Sequence, residues 1–202
     1  MVHNKSNNSL TTYIVSGYMR TGTSMMMQAL EAGGLTPEYK QSREDMKDRL
    51  TDEHYNPNVG GLYELEAEDY RDINFPRKYE GKLIKCLLSE LSKIDTMPNG
   101  IKIVFMRRNV EETRQSFMAF FNKSLEVEHL DEQLDKAIRK LRNRKDVQSV
   151  DVFQYRDVVK NPGIHFMILK DNGWPIDIDK AVSVVEPSYM RYKIENLEAG
   201  VL

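Results

Sequence analysis

The sequence feature that most limits the fold of this chain is a glycine-bounded loop near the N-terminus. The apolar stretch before it, Thr11 to Ser16 (TTYIVS), is typical of a short buried strand. The stretch after it, Ser24 to Ala32 (SMMMQALEA), has helical spacing, and Gly33 and Gly34 favour the end of a helix there. A strand, a tight loop and a helix in this order indicate the first unit of an α/β domain.

The rest of the chain continues this alternation. Three further strands are predicted by the apolar stretches Lys82 to Leu88 (KLIKCLL), Ile101 to Met106 (IKIVFM) and Val150 to Tyr155 (VDVFQY). Helices are predicted at about 110–121, 130–145, 157–171 and 177–185. Parallel strands need crossover connections of this length, so the pattern predicts a three-layer α/β/α fold with a central parallel sheet.

These elements predict one domain over residues 1–202. We expect residues 1–10 to be flexible, because they are polar and show no apolar pattern. The densely charged stretch 38–54 predicts a surface helix or a lid. Residues 36–80 join the first helix to the second strand, and we expect them to form a lid and the wall of an acceptor site.

Charge and cysteine content exclude several classes of protein. The sequence has 29 Lys and Arg against 31 Asp and Glu, a net charge of −2, so no nucleic-acid partner is expected. No apolar run approaches the roughly 20 residues of a membrane span, and the first residues lack the apolar core of a secretory signal. Cys86 is the one cysteine, which excludes an internal disulfide and a multi-cysteine metal site. We therefore expect a soluble cytoplasmic protein without a membrane partner.

The loop has the spacing of a phosphate-binding motif. Its sequence from Gly17 to Ser24 is GYMRTGTS, which matches G-x-x-x-x-G-K-[ST] except that Thr23 stands where lysine is expected. That lysine contacts the β- and γ-phosphates in nucleotide triphosphatases, so its loss argues against ordinary ATP or GTP chemistry. Arg20 supplies a cation inside the loop, and a guanidinium can bind two phosphate or sulfate oxygens. The alternative is a tight turn with a solvated Arg20.

A second basic feature follows the strand at 101–106. Arg107 and Arg108 come at its end, and the next helix carries Thr113 and Ser116. Ligands of open α/β sheets bind at the carboxyl ends of strands, so an arginine and a hydroxyl here are placed to bind a second anion. The two features together predict a ligand with two separate anionic ends.

These motifs resemble those of the sulfotransferases that depend on 3′-phosphoadenosine 5′-phosphosulfate (PAPS). The phosphosulfate loop of that family is approximately P-K-S-G-T-[TS], and Met19 to Ser24 (MRTGTS) occupies its place here. The family's second element is an arginine at a strand end with a serine eight residues later, which Arg108 and Ser116 match. Tyr155 to Val158 (YRDV) and Asn172 to Pro175 (NGWP) are similar to a later segment of bacterial members.

The resemblance implies the P-loop sulfotransferase fold and the transfer of a sulfuryl group from PAPS to a hydroxyl or amine, giving PAP. It implies that Arg108 and Ser116 bind the 3′-phosphate and that Lys85 assists catalysis, with no metal required. Arg20 is expected to neutralise charge on the bridging oxygen. The 5′-phosphosulfate is expected to be bound by Arg20, Thr21, Gly22, Thr23 and Ser24.

The acceptor hydroxyl needs a general base. Glu64 is the first candidate, because Gly60 to Glu66 (GGLYELE) is similar to a bacterial N-P-x-G-[YF]-x-E stretch in which an acidic residue approaches the acceptor. His54 and Glu66 are the second and third candidates. The alternative for each is a solvated surface side chain.

The sequence also departs from the family's pattern. Leu87 occupies the position of a histidine that serves as base in many members, and the glycine-rich motif R-x-G-x-x-G-x-W-K is missing. A non-catalytic module that binds PAP is therefore one alternative. A small P-loop kinase for a nucleotide or metabolite is another, but it predicts a lysine in place of Thr23 and an aspartate at the end of the third strand.

The acceptor is expected to be a small molecule or a glycan. The stretch Lys136 to Lys145 (KAIRKLRNRK) is strongly basic and could receive an anionic acceptor. The alternative is the solvated face of a long helix.

Overall fold

The computed structural model describes residues 11–50, 60–75, 77–91, 96–97, 99–126 and 129–190. Five parallel strands in the order β2-β3-β1-β4-β5 form its central sheet, which confirms the predicted α/β class. The strands are β1 (Thr12–Gly17), β2 (Pro37–Glu38), β3 (Leu83–Lys85), β4 (Ile101–Arg107) and β5 (Val147–Gln154).

Eight α-helices lie in the described part of the chain. The helix predicted at 157–171 is two helices, because Pro162 has no N–H for an internal helical bond and instead begins a new helix. In the described residues, every helix is too short or too polar to cross a bilayer. The helices are α1 (Thr23–Ala32), α2 (Gln41–Leu50), α3 (Ala67–Arg71), α4 (Val110–Phe121), α5 (Leu130–Arg142), α6 (Tyr155–Lys160), α7 (Pro162–Asp171) and α8 (Ile178–Ser183).

Strand boundaries differ from the prediction mainly at one edge of the sheet. The strand predicted at 82–88 ends at Lys85, although the Cys86 N–H still donates to the Val15 carbonyl of β1. The sequence analysis missed β2, a two-residue edge strand that starts with Pro37. A strand of this length has no detectable periodicity, and proline, which cannot donate to a neighbour, is tolerated at a sheet edge.

The core lies on both faces of the sheet. Tyr13 and Val15 of β1 pack on one face with Met26 and Met27 of α1, whereas Ile14 packs on the other face. Because helices cover both faces, β1 is buried at every position and shows no polar alternation.

Parallel strands bring their carboxyl ends to one edge of the sheet. The loop after β1, the turn after β3, Arg108 after β4 and Tyr155 after β5 all follow strands at this edge. The fold therefore gathers residues that are distant in sequence around the glycine-bounded loop.

Asp69 anchors the segment between α2 and β3. It is buried, and its carboxylate accepts hydrogen bonds from Lys78 Nζ at 3.0 Å, Tyr79 Oη at 3.0 Å and the Glu66 N–H at 3.0 Å. Burial raises the pKa of Asp69, but the hydrogen bonds from Lys78, Glu66, Tyr79 and Lys40 outweigh it and lower the pKa to about 2. Asp69 therefore stabilises the fold as a carboxylate.

We expect Asp69→Asn to lower the free energy of unfolding near neutral pH by about 2 kcal/mol, the linkage value of this pKa shift. A lowered pKa contributes stability that is complete above the ordinary value of 3.8 and is lost as pH falls to about 2. Urea titrations along this pH range should show the free energy of unfolding of the wild type falling toward that of the variant. Asp72→Asn is the control, because Asp72 binds the same Lys78 from a more exposed position. Equal losses in the two variants would contradict the role of Asp69.

Candidate functional site

The loop after β1 has a backbone that requires glycine at two positions. A Cβ on Gly17, where φ is +149°, would lie 2.5 Å from the Met106 carbonyl oxygen. Gly22 has φ +94°, and a Cβ there would lie 2.3 Å from the Tyr155 ring. Gly22 also directly precedes α1, and it has no side chain that could accept hydrogen bonds from the first N–H groups of this helix. These N–H groups, together with the helix dipole, are the elements of an anion site.

Arg20 ties this loop to α4. Its Nε donates to Ser116 Oγ at 3.1 Å, and its guanidinium lies 4.7 Å from the centroid of the Phe120 ring. The backbone of Arg20 is left-handed, with φ +69°. The loop cation and the helix hydroxyl singled out in the sequence therefore lie side by side.

Arg108 lies beside the loop, and Arg107 does not. The Arg108 guanidinium donates to the Arg20 carbonyl at 3.3 Å, pairs with buried Glu112 at 3.0 Å and lies 4.9 Å from the Tyr155 ring centroid. Arg107 instead pairs with Asp131 and Asp135 of α5, at 3.2 and 3.0 Å. The arginine beside the loop is thus Arg108, the one that the family's spacing to Ser116 singled out in the sequence.

Lys85 approaches the loop from the neighbouring strand. Residue Val15 of β1 is in register with Lys85 of β3, so the strand that carries Lys85 lies directly beside the strand that leads into the loop. Its side chain is 4% exposed, and Nζ donates to Ser24 Oγ at 3.2 Å and to the Leu62 carbonyl. Nζ also lies 3.1 Å from Glu64 Oε1.

Glu64 is held between two cations. Its second oxygen, Oε2, accepts from the Arg43 guanidinium at 2.6 Å. Burial raises the pKa of Glu64, but Lys85 and Arg43 outweigh it and lower the pKa below 4.5. Burial lowers the pKa of Lys85, and the Glu64 carboxylate opposes this. Glu64 is therefore a carboxylate that pairs with both Lys85 and Arg43.

The other candidate bases lie elsewhere. Glu66 accepts a hydrogen bond from Ser42 at 2.5 Å at the start of α3, and His54 lies outside the described residues. Of the three candidates, Glu64 is the one that the described structure pairs with Lys85, which also contacts Ser24. Its role as base stays a prediction.

The hydroxyls of the loop have different surroundings. Thr21 Oγ1 donates to the Tyr18 carbonyl at 2.8 Å, so Thr21 stabilises the loop itself. Thr23 is buried, and Ser24 Oγ donates to the Leu62 carbonyl at 3.3 Å while it accepts from Lys85. Of the loop hydroxyls, Ser24 is the one with a described hydrogen bond to the Lys85 ammonium group.

Sequence reasoning missed several neighbours of the predicted residues. Tyr155 ends the strand predicted at 150–155 and belongs to the segment YRDV, but the sequence predicts no role for it at the site. Its place at the end of this strand is a signal that it lies at the same edge. Arg43, Phe120 and Glu112 carry no such signal, because each reaches the site through a contact with another side chain.

Comparison with known proteins finds no matching family model and no matching curated sequence. A sulfotransferase domain of the olefin synthase from Synechococcus PCC 7002 aligns at 16% identity and a TM-score of 0.47, over 91% of this chain and 82% of that one. A sugar kinase from Janibacter sp. HTCC2649 aligns at 14% identity and 0.42, over 88% and 99%. Retinol dehydratase with androsterone and PAP aligns at 13% identity and 0.43, over 89% and 64%. These similarities concern the course of the chain and not its activity.

We expect Gly22→Ala to destabilise the protein more than Gly34→Ala. Both glycines have a positive φ, but a Cβ on Gly34 meets open space, whereas one on Gly22 meets the Tyr155 ring. The left-handed backbone should cost about 1–2 kcal/mol in each variant, and the overlap with Tyr155 should add roughly 1–3 kcal/mol. Urea unfolding measures the difference, and equal losses would show that the contact with Tyr155 does not constrain the loop.

Proposed function

We propose that this chain is a sulfotransferase that moves the sulfuryl group of PAPS to a hydroxyl or amine of an acceptor and releases PAP. The observation that carries the proposal is the meeting of three cationic side chains around one glycine-bounded loop. Arg20 comes from the loop itself, Lys85 from the end of β3 and Arg108 from the end of β4. This arrangement suits a ligand with two anionic ends better than a single phosphate.

The residues divide into two groups that fit the two ends of such a ligand. The loop N–H groups from Thr21 to Ser24 and the Lys85 ammonium surround the start of α1, where a phosphosulfate would be stabilised. Arg108 and Ser116 both contact Arg20, and in the proposal they bind the 3′-phosphate. Arg20 contacts both of these residues and directly precedes Thr21 in the loop, so it connects the two groups.

The proposed reaction needs alignment and charge stabilisation more than covalent chemistry. PAPS supplies the activated sulfuryl group. Arg20 and the Lys85 ammonium, which lies beside Ser24, would stabilise charge that develops on the leaving oxygen. Glu64 would accept the proton of the acceptor. A sulfuryl group carries less charge than a terminal phosphoryl group, so these cations suffice in the proposal and no metal is required.

We expect the protein to bind PAP in a calorimetric titration, and Arg108→Ala to weaken that binding at least tenfold. Hydrogen bonds to a charged group contribute about 1.5–3 kcal/mol, which corresponds to such a loss. Arg107→Ala is the matched control and should keep the affinity, because Arg107 pairs with α5 instead. Arg108→Ala combined with Glu112→Gln also removes the buried carboxylate, in case the single variant fails to fold.

A titration with Mg-ATP beside PAP, together with an assay for the consumption of PAPS, separates the alternatives. Binding of Mg-ATP with indifference to PAP would overturn the proposal and favour a P-loop kinase. Binding of PAP without any acceptor-dependent loss of PAPS would indicate a non-catalytic PAP-binding module.

We expect Glu64→Gln to lower kcat by roughly a hundredfold, at the lower end of general-base contributions, because Glu64 is a weak base. The lowered pKa keeps Glu64 ionised as pH falls, so wild-type kcat should decline only below pH 4.5. Sulfuryl transfer from radiolabelled PAPS measures both effects. Arg20→Ala is the comparison, since loss of charge stabilisation should lower kcat at every pH. Unchanged kcat in Glu64→Gln would assign proton removal to another group or to solvent.

A further inference from the structure

A cavity of about 510 Å³ opens beside the loop, at the carboxyl edge of the sheet. Three parts of the chain line it: the loop through Tyr18 and Met19, the turn after β3 through Leu87 and Leu88, and one face of α5. The volume lies within the roughly 300–1,000 Å³ of small-molecule sites. Its location and size are those of a binding site for a small reactant.

The cavity is lined by chain neighbours of two residues of the proposed reaction centre. Met19 directly precedes Arg20 in the loop, and Leu87 follows Lys85 by two residues. Arg20 and Lys85 do not themselves line the cavity, so an acceptor bound there would have to extend past Met19 and Leu87 to reach these two cations. Apolar side chains of Met19, Leu87 and Leu88 line this end, together with Tyr18 and Ser89.

The α5 wall of the cavity is cationic. Lys136 and Lys140 both line it, and their spacing of one helical turn puts them on the same face of the helix. Among the described residues, neither forms an ion pair with a carboxylate, since Asp131 and Asp135 pair with Arg107. Like charges at this spacing destabilise a helix slightly, so the stability of α5 does not explain why Lys136 and Lys140 lie one turn apart.

We propose that this cavity binds the acceptor, and that the acceptor is a small amphipathic molecule with an apolar body and one anionic group bound by Lys136 and Lys140. The inference rests on the proposed function and specifies its acceptor class. The apolar lining favours a hydrocarbon or aromatic body over a highly charged glycan, which would need many more polar contacts. The two lysines set the orientation, with the anionic group at α5 and the apolar body toward the loop.

The test compares acceptor probes that differ in charge alone. The first pair of probes is para-hydroxyphenylpropionate and its amide, and the second is ω-hydroxydodecanoate and its amide. Within a pair the two molecules differ in charge, and the two pairs differ in length. Binding is measured by calorimetry and ligand-observed NMR in the presence of PAP, so no turnover is required. We expect at least one carboxylate to bind roughly tenfold more tightly than its amide, and the preference to weaken as salt rises.

The variant Lys136→Gln with Lys140→Gln should remove the preference for the carboxylate. Arg139→Gln is the matched control, because it removes a charge from the same helix at an exposed position that does not line the cavity. Equal binding of carboxylate and amide in both pairs, a preference that survives in the double variant, or no binding of any probe would each overturn this inference. PAP affinity, measured on the same samples, reports separately on the proposed function.

Discussion

A buried ammonium group organises the edge of the sheet at which the loop lies. Lys85 is buried, and burial of a charge costs several kcal/mol unless polar groups replace water around it. The Ser24 hydroxyl, the Leu62 carbonyl and the Glu64 carboxylate provide these contacts. Because they come from α1 and from the segment after residue 60, the solvation of one lysine fixes three parts of the chain relative to one another.

Helix α2 stabilises the segment that carries Leu62 and Glu64. Glu44 accepts the N–H groups of Leu62 and Tyr63, at 2.9 and 2.6 Å, and Arg43 pairs with Glu64. Tyr63 has φ +57°, a left-handed backbone that a bulky residue adopts only when the surroundings enforce it. The two charged residues of α2 thus hold the segment in the conformation that presents the Leu62 carbonyl and Glu64 to Lys85.

Local patterns in the sequence predicted the parallel sheet and the edge where the loop and Arg108 lie, and the family resemblance singled out Lys85. The loop and Arg108 each follow an apolar strand, and the carboxyl ends of parallel strands meet at one edge of a sheet. The contacts of Glu64 with Arg43 and of Gly22 with Tyr155 join residues with no common pattern, so they depend on tertiary packing. The ion pairs of Arg107 with Asp131 and Asp135 of α5 depend on tertiary packing in the same way.

In the proposed reaction, the site would contribute more by charge stabilisation than by proton removal. Glu64 is engaged by two cations, and its lowered pKa makes it a weak proton acceptor. A weak base is sufficient when the bond to the leaving group breaks early, as in loose transition states of phosphoryl transfer. Leu87 agrees with this interpretation. It gives the cavity wall an apolar side chain at the position where PAPS-dependent sulfotransferases often have a histidine base. In the proposed reaction Leu87 therefore helps to bind the acceptor, and Arg20 and Lys85 provide most of the catalysis.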